Sequence, residues 1–166
     1  TPTVGMERSG LRYVAGSLAL AVAAIHVYWG FPRLVLYIQT GRFPDPRPFL
    51  FVGSAVLIVL GIARVLDGRN EQAIYLAGIA LMMTYIVGYG LWHTGLEHGG
   101  FWPWGPEPIS HSDPAWHVLL DHIRADELGV ISKLLEATLA GVLVLLYRSD
   151  DAAAADTDVP AIVRGE

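Results

Sequence analysis

The chain has 166 residues, 53% of them hydrophobic and only 16% charged. Mean hydropathy is +0.44, and ordinary soluble domains carry about 25% charge, so composition excludes a typical water-soluble globule. The lack of cysteine excludes disulfides, thiolate zinc sites and iron–sulfur clusters. A formal charge of −5 excludes a broadly basic nucleic-acid binder.

A helix that crosses a bilayer core needs about 20 predominantly apolar residues. Four stretches meet that need. The first covers about 14–38 and is interrupted by His26, Pro32 and Arg33. The second covers 48–66, and Phe49 to Ala63 is free of charge. The third, 73–92, has no ionisable group other than tyrosine. The fourth, 128–147, contains Lys133 and Glu136. The expected fold is all-α: a single four-transmembrane-helix bundle over residues 1–148. Residues 149–166 read as a disordered cytoplasmic tail, because they are polar and rich in Ala and Asp.

The connections differ in character. Residues 41–48 (GRFPDPRP) form a short, stiff loop, because prolines at alternating positions bar both helix and sheet pairing. Residues 67–70 (DGRN) form a tight turn in which Asn70 is placed to cap the third helix. The third connection, 94–127, is long and holds Trp102, Trp104 and Trp116 with His98, His111, His117 and His122. A loop of that length is usually functional or carries its own structure. Asp113-Pro114 reads as an N-cap and first helical residue. A helix over about 114–124 then places Trp116, Leu119, Leu120 and Ile123 on one side, which suits a helix lying in the membrane interface.

Arginine placement sets the expected orientation. With the N-terminus inside, the inner side holds Arg8, Arg12, Arg64, Arg69, Arg148 and Arg164, and the outer side Arg42, Arg47 and Arg124. Both termini are therefore expected in the cytoplasm of a multi-pass cell-membrane protein, with the Trp/His loop outside. Arg8, Arg12 and the Ala21-Val22-Ala23 run mimic a cleavable signal peptide, but the apolar pattern continues to Ile38, which favours a retained helix.

Ionisable groups within a membrane are functional candidates by default. At about 1.5 Å rise per residue, Glu136 lies roughly 12 Å beneath Leu128 at the outer end of its helix. His26, Arg33, His93, Lys133 and Glu136 all fall in the outer half. His26, Trp29 and Arg33 share one helical face; Tyr85, Tyr89 and His93 share another; so do Lys133 and Glu136. These stripes are expected to turn toward one another as an outward-facing ligand pocket. Lys133 and Arg33 would pair with Glu136, and the second helix, polar only at Ser54, would be scaffold. The structural alternative is a buried ion network that fixes helix register.

The histidines admit three ligand classes. A single haem would use His26 and His93 as axial ligands. Copper or zinc would bind His117 and Asp121, four residues apart on one helical face, with His98, His111 and His122 near in sequence. A quinone would use Trp29, Trp92, Tyr89, His93 and Glu136. Interfacial histidine and tryptophan among lipid headgroups is the plainer reading of the loop. A conduit is disfavoured, because no internal repeat is visible and the polar groups stop halfway across.

Ten arginines against one lysine, no cysteine and an Ala/Asp/Val tail give the chain a haloarchaeal composition. The segments His26-Val27-Tyr28-Trp29-Gly30, Trp92-His93 and His98-Gly99-Gly100-Phe101-Trp102-Pro103 resemble small four-helix membrane proteins of haloarchaea with unassigned function. The resemblance covers roughly residues 11–147 and implies no catalytic residue. The leading expectation is a non-catalytic accessory or assembly subunit of a larger membrane complex, with the lipid bilayer and a membrane-protein partner or second copy as its contacts. The alternative is a redox or ligand-binding protein (haem, copper or quinone) built around His26, His93 and Glu136.

Overall fold

The computed structural model describes residues 2–109 and 111–157, with side chains over 9–109 and 111–149. The described residues are all-helical apart from turns and loops. The elements are α1 (Pro2–Thr40), α2 (Arg47–Leu66), α3 (Glu71–Thr94), a 3-10 turn (Glu97–Gly99), α4 (Ala115–Ala125) and α5 (Glu127–Thr157). Four segments are long and apolar enough to cross a membrane: Ser9–Thr40, Arg47–Leu66, Glu71–Thr94 and Glu127–Ser149. The helices overlap the four expected stretches, and α1 and α5 run well beyond them, to 39 and 31 residues.

The chain closes the bundle in the order α2, α1, α5, α3, with α2 meeting α3 more lightly. Val22, Met82, Leu139 and Leu146 form the centre with Tyr75, Ala15 and Leu143. Between helices bathed in lipid, packing rather than water exclusion supplies the attraction, so close approach matters. Gly30 provides it between α1 and α2. A Cβ there would lie 3.3 Å from Phe51 Cβ, Pro48 O and Val52 Cγ2. At Gly78 on α3 a Cβ would lie 2.7 Å from Leu143 Cδ1 on α5. Leu20, Leu36, Val56, Leu57, Leu60 and Leu134 stay exposed, as an apolar solvent requires.

One end of the bundle gathers the end of α1, the starts of α2 and α5, the end of α3, and α4. This capped end carries the converging histidines, and the buried polar centre lies one helical turn or more beneath it. At the opposite end Arg12 of α1 pairs with Glu71 of α3.

Several local expectations are corrected. Asn70 adopts a left-handed conformation (φ 51°) and makes no side-chain cap. Its backbone carbonyl instead accepts from Ile74. Pro114, not Asp113, is the N-cap of α4, so the helix begins one residue later than expected, at Ala115. The tail does not become irregular after 148: α5 continues to Thr157, and alanines 152–155 favour that continuation. Residues 158–166 of the expected tail lie outside the described residues.

Candidate functional site

Two polar clusters stand one above the other. The deeper one is centred on Glu136 of α5, which is fully buried. Its carboxylate accepts hydrogen bonds from Lys133 Nζ at 2.5 Å and Ser132 Oγ at 2.8 Å. His26 Nε2 of α1 stands 3.7 Å from Oε1. Lys133 and Ser132 precede Glu136 on one helix by three and four residues, which puts both donors beside the same carboxylate. A buried carboxylate without such donors would carry a severe desolvation cost.

His26 is fixed on three sides. Its Nδ1 donates to Val22 O at 2.8 Å. Its ring stacks on Tyr85, centroids 4.2 Å apart, and meets Phe51 edge-on at 4.7 Å. The Tyr85 hydroxyl donates to Ser54 Oγ, which in turn donates to Phe51 O. So α2 is more than scaffold: Phe51 and Ser54 wall the centre. Their place at the centre gives little signal in the sequence, because Phe49 to Ala63 is free of charge. Ser132 was missed too, although its place four residues before Glu136 was a usable signal.

The expected stripes meet only in part. His26, Tyr85, Lys133 and Glu136 come together, and Lys133 Nζ also reaches Tyr85 O at 3.4 Å. Arg33 does not pair with Glu136. It is exposed and lies over the Trp29 ring at 4.0 Å, donating to Trp29 O at 2.7 Å. Seven residues beyond His26, it has risen too far along α1 to reach the carboxylate. Trp29 also takes Arg47 at 4.9 Å, and Arg47 lies 4.0 Å over Trp92 while paired with Asp45.

The second cluster lies at the capped end. Tyr89 leads up to it: Lys133 Nζ sits 5.6 Å from the Tyr89 ring centroid, and that ring lies 4.4 Å from His93. There His93 from α3, His98 from the 3-10 turn and His122 from α4 converge. One ring nitrogen from each lies within 4.8 Å of the others. His93 Nδ1 donates to Tyr89 O and His122 Nδ1 donates to Val118 O, both at 2.8 Å. A carbonyl only accepts, so each Nδ1 carries the proton and each Nε2 presents a lone pair. This backing by a carbonyl is the outer-shell pattern of metal-binding histidine.

His98 Nε2 lies 3.0 Å from His122 Nε2, and His98 Nδ1 is buried without a hydrogen-bond partner. Two nitrogens bound tetrahedrally at about 2.0–2.1 Å from a metal are about 3.3 Å apart, close to this spacing. Burial, the nearby His93, His122 and His111 rings and the Arg47 guanidinium lower the His98 pKa to about 4. At neutral pH His98 is uncharged, the form that ligates metal.

The loop that holds His98 is strained. Glu97, His98 and Gly99 have φ of 46°, 56° and 94° in succession. Consecutive left-handed residues that are not glycine cost free energy and concentrate at ligand-holding sites. At Gly99 a Cβ would lie 2.7 Å from Trp92 Cη2, so only glycine lets the turn sit on the indole. Trp102 Nε1 donates to Phe43 O at 2.8 Å, tying the loop to the α1–α2 connection.

The ligand sets expected from sequence are redistributed. His117 and Asp121 approach to 3.6 Å, but both are solvent-facing and Asp121 also faces Arg124 at 3.6 Å. That pair does not enter the three-histidine group. On α4, His117 and His122 fall on different faces, and the face with Val118 and His122 turns to the bundle. Trp116, Leu120 and Ile123 remain exposed, as an interfacial helix requires. His26 and His93 belong to separate clusters, so a haem axially held by both is not supported. The quinone set is likewise divided, with Glu136 in the deep cluster and Trp92 against Phe101 at the capped end. No protein-family model, curated protein or solved structure matches the chain.

Proposed function

We propose that this chain is an integral membrane protein that binds one imidazole-preferring metal ion, zinc(II) or copper(II), at the capped end of its bundle. The observation that carries the reading is the convergence of His93, His98 and His122 from three separate elements, with two of the rings oriented by backbone carbonyls. Nitrogen donors without thiolate suit zinc and copper(II) better than hard cations, which prefer oxygen. Arginine placement supports this end facing outward and the termini facing the cytoplasm. The metal would supply Lewis acidity or redox capacity; the chain holds it, positions it and shields one side of it with the bundle.

The test is direct. Metal-stripped protein in detergent should bind one equivalent of zinc or copper by isothermal titration calorimetry. His93→Ala, His98→Ala and His122→Ala should each weaken binding by more than about 100-fold, beyond the usual cost of losing an outer-shell partner. Wild-type binding no tighter than that of the triple variant would sink the proposal.

A second reading, an accessory or assembly subunit of a larger membrane complex, is favoured by α2. Only 11% of its span is buried within this chain, which leaves a broad face for lipid, a partner or a second copy. Purification in mild detergent tests it. Recovery of a stoichiometric membrane-protein partner supports the reading, and a monodisperse single chain with no partner removes it.

A further inference from the structure

Beside the three histidines lies a cavity of about 140 Å³ lined by Thr94, Glu97, His111, Asp113, Ala115 and Val118. Its walls are continuous with the cluster. Thr94 follows His93, Glu97 precedes His98, and Val118 supplies the carbonyl that orients His122. His111 bridges the two: its ring centroid is 5.2 Å from His98 and 5.5 Å from His122.

We infer that His111 is the fourth ligand of the metal site and that this cavity, with Glu97 and Asp113, is the passage through which the hydrated cation arrives. The inference rests on the three-histidine reading above. Four-coordinate geometry leaves one position unfilled by His93, His98 and His122. His111 is the nearest further nitrogen donor, and it is exposed on a segment outside the helices. Ile109 N donating to Glu97 O at 3.3 Å ties the start of this segment to the strained turn. His111 stands just outside the group whose ring nitrogens lie within 4.8 Å of one another, so its ring has to shift inward to complete the coordination. Glu97 and Asp113 line the cavity and attract a cation, while Arg47 lies over Trp92 on the bundle side, so the field favours approach through the cavity.

The full chain, stripped of metal and loaded with one equivalent of copper(II), is read by electron paramagnetic resonance for the number of coupled imidazole nitrogens. Wild type should show four and His111→Ala three, with zinc affinity about tenfold or more weaker in the variant. Glu97→Gln with Asp113→Asn should slow zinc association and flatten its salt dependence while leaving dissociation unchanged. His117→Ala, the exposed control, should alter neither. Three nitrogens and unchanged zinc affinity in both wild type and His111→Ala overturn the inference while the three-histidine site stands. Absence of any metal binding by wild type overturns that site and the inference with it.

Discussion

His98 shows how local geometry sets the chemistry of one residue. It is held on a turn of three left-handed residues, packed among other imidazoles near a guanidinium, and its pKa falls from 6.5 to about 4. The sign follows from linkage. Between pH 6.5 and about 4 the unfolded turn binds a proton that the folded turn does not, so stability of the turn falls as pH drops through that window and is fully present above it. An imidazole resonance of the metal-free protein should titrate near pH 4, and hydrogen exchange of residues 97–105 should accelerate over the same interval. A midpoint near 6.5 for every histidine would contradict the packing. Glu136 is the deep counterpart. Glu136→Ala strands the Lys133 ammonium and should cost about 3–5 kcal/mol, whereas Glu136→Gln keeps the shape and the Ser132 contact and should cost less. Thermal unfolding in detergent compares the two.

The capping loop behaves as an element even though most of it is neither helix nor strand. It is anchored where Trp102 reaches the α1–α2 connection, where Gly99 sits on Trp92, and where Val118 and His122 of α4 turn to the bundle. Trp102→Phe keeps an aromatic ring, though a smaller one, and removes the hydrogen bond to Phe43 O, which by itself costs about 0.5–1.5 kcal/mol. It should raise protease sensitivity within residues 100–113 without changing helix content by circular dichroism. Equal protection in both proteins would show that the anchor is dispensable. The loop's role was legible in its length, tryptophans and histidines. Which histidines converge was not. The i, i+4 spacing of His117 and Asp121 is a signal within one helix, whereas His93, His98 and His122 meet only because the chain doubles back on itself.

At the scale of the molecule, polarity is graded along the bundle axis. The described far half has the Arg12–Glu71 pair at its end, the middle holds Glu136 with its donors, and the capped end holds the histidines. Such a one-ended arrangement suits binding rather than passage across the membrane. Because the chain lacks cysteine, its orientation can be read with single substitutions. Ser112→Cys should react with an impermeant maleimide on intact cells, and Gly68→Cys only after the membrane is opened. The reverse pattern would invert the topology.

The sequence by itself determined the four apolar spans, the short and long connections, and the identity of the ionisable residues inside them. Those follow from segment length, hydropathy and the cost of burying charge in lipid, all of which are local. Helical periodicity also paired Lys133 with Glu136, because three residues on one helix are neighbours in any fold. Only the tertiary structure decided that Arg33 stays out of reach of Glu136, that α2 walls the centre through Phe51 and Ser54, and that His98 and His122 join His93. Those contacts depend on helix rotation, axial offset and the path of the loop, and no period within a single helix encodes them.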